Sequence, residues 1–213
     1  MVAVHFVYDL TELYGLLAPP PAAFYTLKNS GGAVFFLLSG ISATLGQRHL
    51  RRGLTVLLCA AAVSAVTAAA SVPVRFGVLH ALGCCMLLWP LFRNRPQKEL
   101  VFSALLFLSL GALFRDFSVP APYLYPLGLL SAGFESADFF PLFPYFGYFL
   151  AGACLGRILY PARRSLLPAF PFTAPLPRFL QLCGRRSLSI YLLHQPVLIL
   201  VTEGVLFLRR SFL

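Results

Sequence analysis

The chain has 213 residues, of which 59% are hydrophobic and 11% charged, with a net charge of +10 and a mean hydropathy of +0.80. Soluble domains are usually about 25% charged, so the composition excludes an ordinary soluble domain and defines a polytopic helical membrane protein. Nucleic-acid binding is excluded as well, because the basic residues sit in loops between apolar runs and no aromatic-interleaved basic domain stands outside them.

Seven apolar runs follow in chain order. The first covers residues 1–17 and is stopped by Ala18–Pro19–Pro20–Pro21. The second, residues 24–46, ends at the basic stretch Gln47–Gly53, and the third spans 53–71. The fourth, 76–92, begins just after Arg75 and is parted by RNRPQK from the fifth, 99–114. An irregular stretch, 115–138, comes next, and its PLGLLSAG piece at 126–133 is expected to form a short re-entrant or interfacial helix. The sixth run is 139–160, and a Pro-rich loop leads to the seventh, 187–208. A helix needs roughly 20 apolar residues to cross a hydrocarbon core about 30 Å thick. The expectation is therefore an all-α bundle of about seven spans forming a single membrane domain over residues 1–213, with no cleavable signal peptide, since Met1 has no basic n-region behind it.

Alternating spans sort the basic residues cleanly. Arg48, Arg51, Arg52, Arg93, Arg95, Lys98, Arg157, Arg163, Arg164, Arg178, Arg185 and Arg186 fall on one side; Lys28, Arg75, Arg115, Arg209 and Arg210 fall on the other. The positive-inside rule then predicts a cytoplasmic N-terminus in a cell inner membrane, with the Arg209–Arg210 tail as the dissenting feature. Cys59, Cys84, Cys85 and Cys154 lie within apolar runs and Cys183 among arginines. No CxxC or Cys/His spacing marks a metal site, so no metal is expected.

Ionisable groups inside spans are expensive, at least ~2.5–3.5 kcal/mol near a helix centre, and usually face a bundle interior or a wet cavity. His5, Asp9 and Glu12 stand at i, i+4 and i+7, one face of a regular helix. A histidine that gives one ring hydrogen to a carboxylate keeps its other nitrogen as a base or nucleophile. His80 reads either as part of the same outer-side polar group or as a packing histidine bonded between helices. His194 reads either as a site residue or as a cap for the backbone gap that Pro196 opens. Glu12 and Asp138 read equally well as interfacial residues in contact with water, and Glu203 lies near the outer end of the last run.

Three segments carry a resemblance. VAVHFVYDL (2–10), SADFFPLFPYFGYFLAGACLGRILY (136–160) and GRRSLSIYLLHQPVLI (184–199) resemble bacterial membrane proteins of the heparan-alpha-glucosaminide N-acetyltransferase catalytic-domain family, within the type-3 acyltransferase superfamily. FFLLSGIS and RFGVLHALG fit in their expected places, so the resemblance covers essentially the whole chain. It implies transfer of an acyl group, typically acetyl from acetyl-CoA, to a sugar or glycan acceptor at the bilayer. It implies His5 as general base or acyl carrier with Asp9 orienting it, and weaker roles for His80 and His194. Arg185 and Arg186 resemble an inner-side basic pair suited to CoA phosphates, though ordinary positive-inside topology explains them as well. Relatives carry an Asp-x-x-Arg-Gly element before the first histidine. These residues begin four positions ahead of His5, so the expectation is either that the start codon is misassigned or that the chain lacks this N-terminal element.

Two other functions fit the same polar residues: a small transporter or channel-like protein, and a membrane scaffold. The acyltransferase reading predicts a cavity lined by His5, Asp9 and His80. A transporter predicts an alternately accessible path and paired broken helices, and no internal repeat is visible in the sequence. The acceptor and the oligomeric state, a homo-oligomer included, stay open.

Overall fold

The computed structural model describes residues 2–167 and 169–212, the side chains of Glu12, Leu27, Lys28, Asn29, Arg210, Ser211 and Phe212 apart. Its elements are helical throughout: α1 Val2–Tyr8, α2 Ala22–Leu45, α3 His49–Ala69, α4 Val78–Phe92, α5 Gln97–Phe114, α6 Leu142–Leu159, α7 Pro175–Arg185 and α8 Ser187–Phe212. A π-helical turn, Asp9–Leu13, extends α1, and a 3₁₀ turn occupies Pro122–Leu127. Each of the seven apolar runs coincides with a helix, in the same order. Among the described residues, four helices are long and apolar enough to cross: His49–Ala69, Gln97–Phe114, Leu142–Leu159 and Ser187–Arg209. The apolar helices Val2–Thr11 and Val78–Phe92 are shorter; at 1.5 Å per residue the 15 residues of α4 reach about 22 Å, less than a hydrocarbon core.

Two expectations are corrected. The short helix lies at Pro122–Leu127 and not over 126–133, because Gly128 adopts φ +101° and ends it, after which Leu130 bridges to Ser118. The Pro-rich loop before the last run contains α7, whose Pro175 stands at the first helical position, where its missing N–H goes unneeded. On α7 Leu176, Phe179, Leu180 and Cys183 share one face, and Arg178, Gln181 and Arg185 share the opposite one, the pattern of an interfacial helix.

The chain divides into two compact units, Met1–Gly31 with Leu167–Leu213, and Gly32–Leu166. In the second unit α3 packs on α4 and α5 on α6. Lipid tails are as apolar as leucine, so these contacts depend on close backbone approach at small residues. A Cβ on Gly152 would lie within 1.9 Å of the Leu37 carbonyl oxygen, and one on Gly40 within 1.9 Å of that of Phe149, so α2 and α6 meet backbone to backbone. Gly53 and Gly83 play the same part between α3 and α4. Phe36, Phe146, Phe149, Leu100 and Leu150 fill the interior, whereas Leu58, Val66 and Phe102 stay about 70% exposed, at 73%, 69% and 68%, as lipid-facing side chains do. Asp138 reaches back to accept a hydrogen bond from the Val78 N–H at 2.9 Å, capping the start of α4. The neighbouring backbone is tied by Ala137 N–H to the Pro73 carbonyl and Phe140 N–H to that of Phe76.

Candidate functional site

In the first unit the opening and closing helices pack together, α1 against α8. Asp9 begins the π turn and is 1% exposed. The Gln195 amide Nε2 donates to both of its carboxylate oxygens, at 2.8 and 3.0 Å. A carboxylate accepts only, which fixes how the Gln195 amide is turned and leaves its Oε1 buried without a protein partner. The His5 ring is half-buried against His194, with centroids 4.9 Å apart and planes inclined by 66°.

The tautomer of His194 follows from its neighbour. Its Nδ1 lies in hydrogen-bond contact with the Tyr191 carbonyl, which can only accept, so Nδ1 carries the proton in the neutral ring. Nε2 is then the bare imine nitrogen, buried and without a protein partner. Two buried acceptors on adjacent residues, His194 Nε2 and Gln195 Oε1, are unusual, since most buried polar atoms are paired. Both are suited to a ligand that brings an N–H or O–H. Thr202, seven residues beyond Gln195 on the same helical face, is buried as well.

His80 belongs to the second unit, in the first turn of α4. The Ser64 hydroxyl spends its one proton on the Val74 carbonyl, so at 3.3 Å from His80 Nε2 it must accept. His80 therefore carries its proton on Nε2, while Nδ1 is buried and bare, and its ring lies on Phe76 at 5.5 Å. Arg185 and Arg178 line a cleft of about 460 Å³ beside α7, together with Gln181 and Phe172. Arg186 is the residue that closes α7. The side chain of Glu12, expected beside His5 and Asp9, lies outside the described residues, as do those of Lys28 and Arg210. Among the described residues no three His, Cys, Asp or Glu side chains group as a metal site.

Gln195, a polar neighbour of His194 in the last apolar run, was not among the expected site residues. Its signal was present: a carboxamide set between His194 and Pro196 within an apolar run.

Helices long and apolar enough to cross a bilayer mark a membrane protein, and its first and last helices bring a buried carboxylate and two histidines into one unit. The sequence profile of the family "Heparan-alpha-glucosaminide N-acetyltransferase, catalytic" matches residues 1–196, and the chain belongs to that family. Membership points to an N-acetyltransferase-like activity, for which acetyl-CoA is the family's general donor. Neither a curated protein nor a solved structure matches the chain.

Proposed function

We propose that the protein is a membrane acyltransferase that moves an acyl group, acetyl foremost, from acyl-CoA to an amine or hydroxyl of a sugar or related acceptor, with His5 as general base or transient acyl carrier. The observation that carries this reading is the buried Asp9 carboxylate, held by Gln195 beside the paired rings of His5 and His194. As base, the imidazole takes the acceptor's proton while the acceptor's nitrogen or oxygen attacks the thioester carbonyl carbon. The carbon–sulfur bond breaks, and the departing thiolate takes the proton back from the imidazolium. As carrier, the ring nitrogen attacks first and releases the thiolate, and the acyl group then passes from the acyl-imidazolium to the acceptor, whose proton goes to the thiolate. The negative charge of Asp9 stabilises the imidazolium in both routes, and the more so for lying out of water.

His194, with Nδ1 committed to the Tyr191 carbonyl and Nε2 bare, suits a second proton acceptor at the same place, and His80 has a weaker claim. Arg185, which shares its cleft with Arg178, suits the donor's phosphates, with Arg186 next in the chain. The distribution of basic residues supports a cytoplasmic N-terminus in a cell inner membrane.

The test is acyl transfer from radiolabelled acetyl-CoA by the detergent-purified protein. His5→Ala is expected to abolish transfer while the protein elutes and melts as the wild type does. Turnover retained by folded His5→Ala overturns the mechanism.

A further inference from the structure

Three of the loops that alternation collects on the basic side meet in the second unit: those before α3, between α4 and α5, and after α6. They enclose a cleft of about 610 Å³ whose lining includes Arg48, His49, Trp89, Arg93, Arg157 and Arg163, and no acidic residue among those described. Glu99, the acid closest in sequence, pairs with Arg95 at 3.7 Å, and neither lines the cleft.

The four arginines play two different parts. Arg157 is fixed: its Nη1 donates to the Arg95 carbonyl and its Nη2 to the Arg93 carbonyl, both at 2.7 Å, and its guanidinium lies 5.9 Å from the Trp89 ring centre. It thereby occupies the carbonyl end of α4 and pins the loop that follows. Arg48, Arg93 and Arg163 are exposed around the mouth. Arg48 and Arg163 both sit at left-handed backbone positions, φ +59° and +53°, and Arg48 precedes α3 with no side chain capping that helix. The positive end of α3 thus opens on the same cleft.

Like charges held on one concave surface raise a local potential that only an anion relieves. Guanidinium forks and a helix N-terminus are the groups that bind phosphate oxygens. We propose that this cleft is a phosphate-binding site, separate from the one lined by Arg178 and Arg185. Two sources supply that chemistry at a membrane surface: the headgroup of an anionic phospholipid, which basic pockets on the cytoplasmic side of helical bundles bind, and a soluble phosphate compound. The site requires no acyl transfer, and its test reads binding alone.

The full chain is purified and placed in phosphatidylcholine nanodiscs, with or without cardiolipin. Pyrophosphate binding is measured by calorimetry in the lipid-neutral discs, and retained cardiolipin by native mass spectrometry. Arg93→Ala/Arg163→Ala is compared with Arg51→Ala, which removes a charge outside the cleft. The expected result is binding of at least one probe, weakened roughly tenfold or more per arginine, the scale of one charge-assisted hydrogen bond, and kept in Arg51→Ala. Pyrophosphate binding identifies a soluble ligand; cardiolipin retention without it identifies a headgroup. Absence of both, or equal binding in the double variant, overturns the proposal. Loss of transfer in His5→Ala with this binding intact bears only on the active-site reading.

Discussion

Asp9→Asn separates a structural carboxylate from a working one. Asp9 is 1% exposed and takes its hydrogen bonds from one amide nitrogen, so the pair counts as about one charge-assisted bond, worth roughly 1.5–3 kcal/mol. Against it stands the penalty of an intramembrane charge, at least ~2.5–3.5 kcal/mol near a helix centre. The two nearly cancel. An asparagine at this position keeps an acceptor for Gln195 Nε2 and offers its own N–H to Gln195 Oε1, which now has no partner. Stability of Asp9→Asn is therefore expected within about 1 kcal/mol of the wild type, or above it. Gln195→Ala, which strips the buried carboxylate of this donor, is expected to lose the whole ~1.5–3 kcal/mol. Transfer should respond differently: without the charge that stabilises an imidazolium, Asp9→Asn is expected to fall by roughly 10²–10⁴. The assay is thermal and denaturant unfolding in one detergent, paired with labelled acetyl transfer per folded molecule. Asp9→Asn that unfolds like Gln195→Ala, with activity tracking only the folded fraction, refutes the catalytic assignment. So does Asp9→Asn with undiminished turnover.

Other outcomes follow from single contacts. His194→Gln retains a donor for the Tyr191 carbonyl but has no titratable nitrogen, so folding should be kept while transfer drops by roughly 10²-fold or more; full activity would reduce His194 to a backbone cap. Gly152→Ala puts a Cβ on the Leu37 carbonyl, forces α2 and α6 apart, and should cost about 1–3 kcal/mol in unfolding experiments. Gly31→Ala meets nothing within 4 Å and should be neutral or slightly stabilising, so equal losses in the two variants would contradict the packing account. Asp138→Ala should cost about 0.5–2 kcal/mol by uncapping α4, and Asp138→Asn, which keeps the acceptor oxygen, less.

What could be read from the residues followed the range of the physics involved. Apolar runs report local solvent preference, so each helix that coincides with a run was legible, while the shortness of α4 depends on where Gly77 and Phe92 bound it. The spacing of His5 and Asp9 along the first helix was visible in the sequence, but the residue that holds the Asp9 carboxylate was not. Gln195 is 186 positions from Asp9, and a single sequence carries no signal for contact at that separation. The role of Asp138 was hidden for the same reason: its helix-capping partner lies 60 residues earlier. α7 was missed on a different account, because Pro175 and Pro177 suggested a loop although prolines in a first turn are compatible with helix. The π turn at Asp9–Leu13 also departs from the regular 3.6-residue spacing on which Glu12 was grouped with His5.

The order of synthesis adds one consequence of the Asp9–Gln195 pair. At about 5–20 residues per second, some ten to forty seconds separate the emergence of the acid from that of its amide. Throughout that interval the first helix carries a carboxylate that its final partner has yet to meet. A chain cut short before α8 never acquires that partner, which leaves the carboxylate of its opening segment without the amide that holds it.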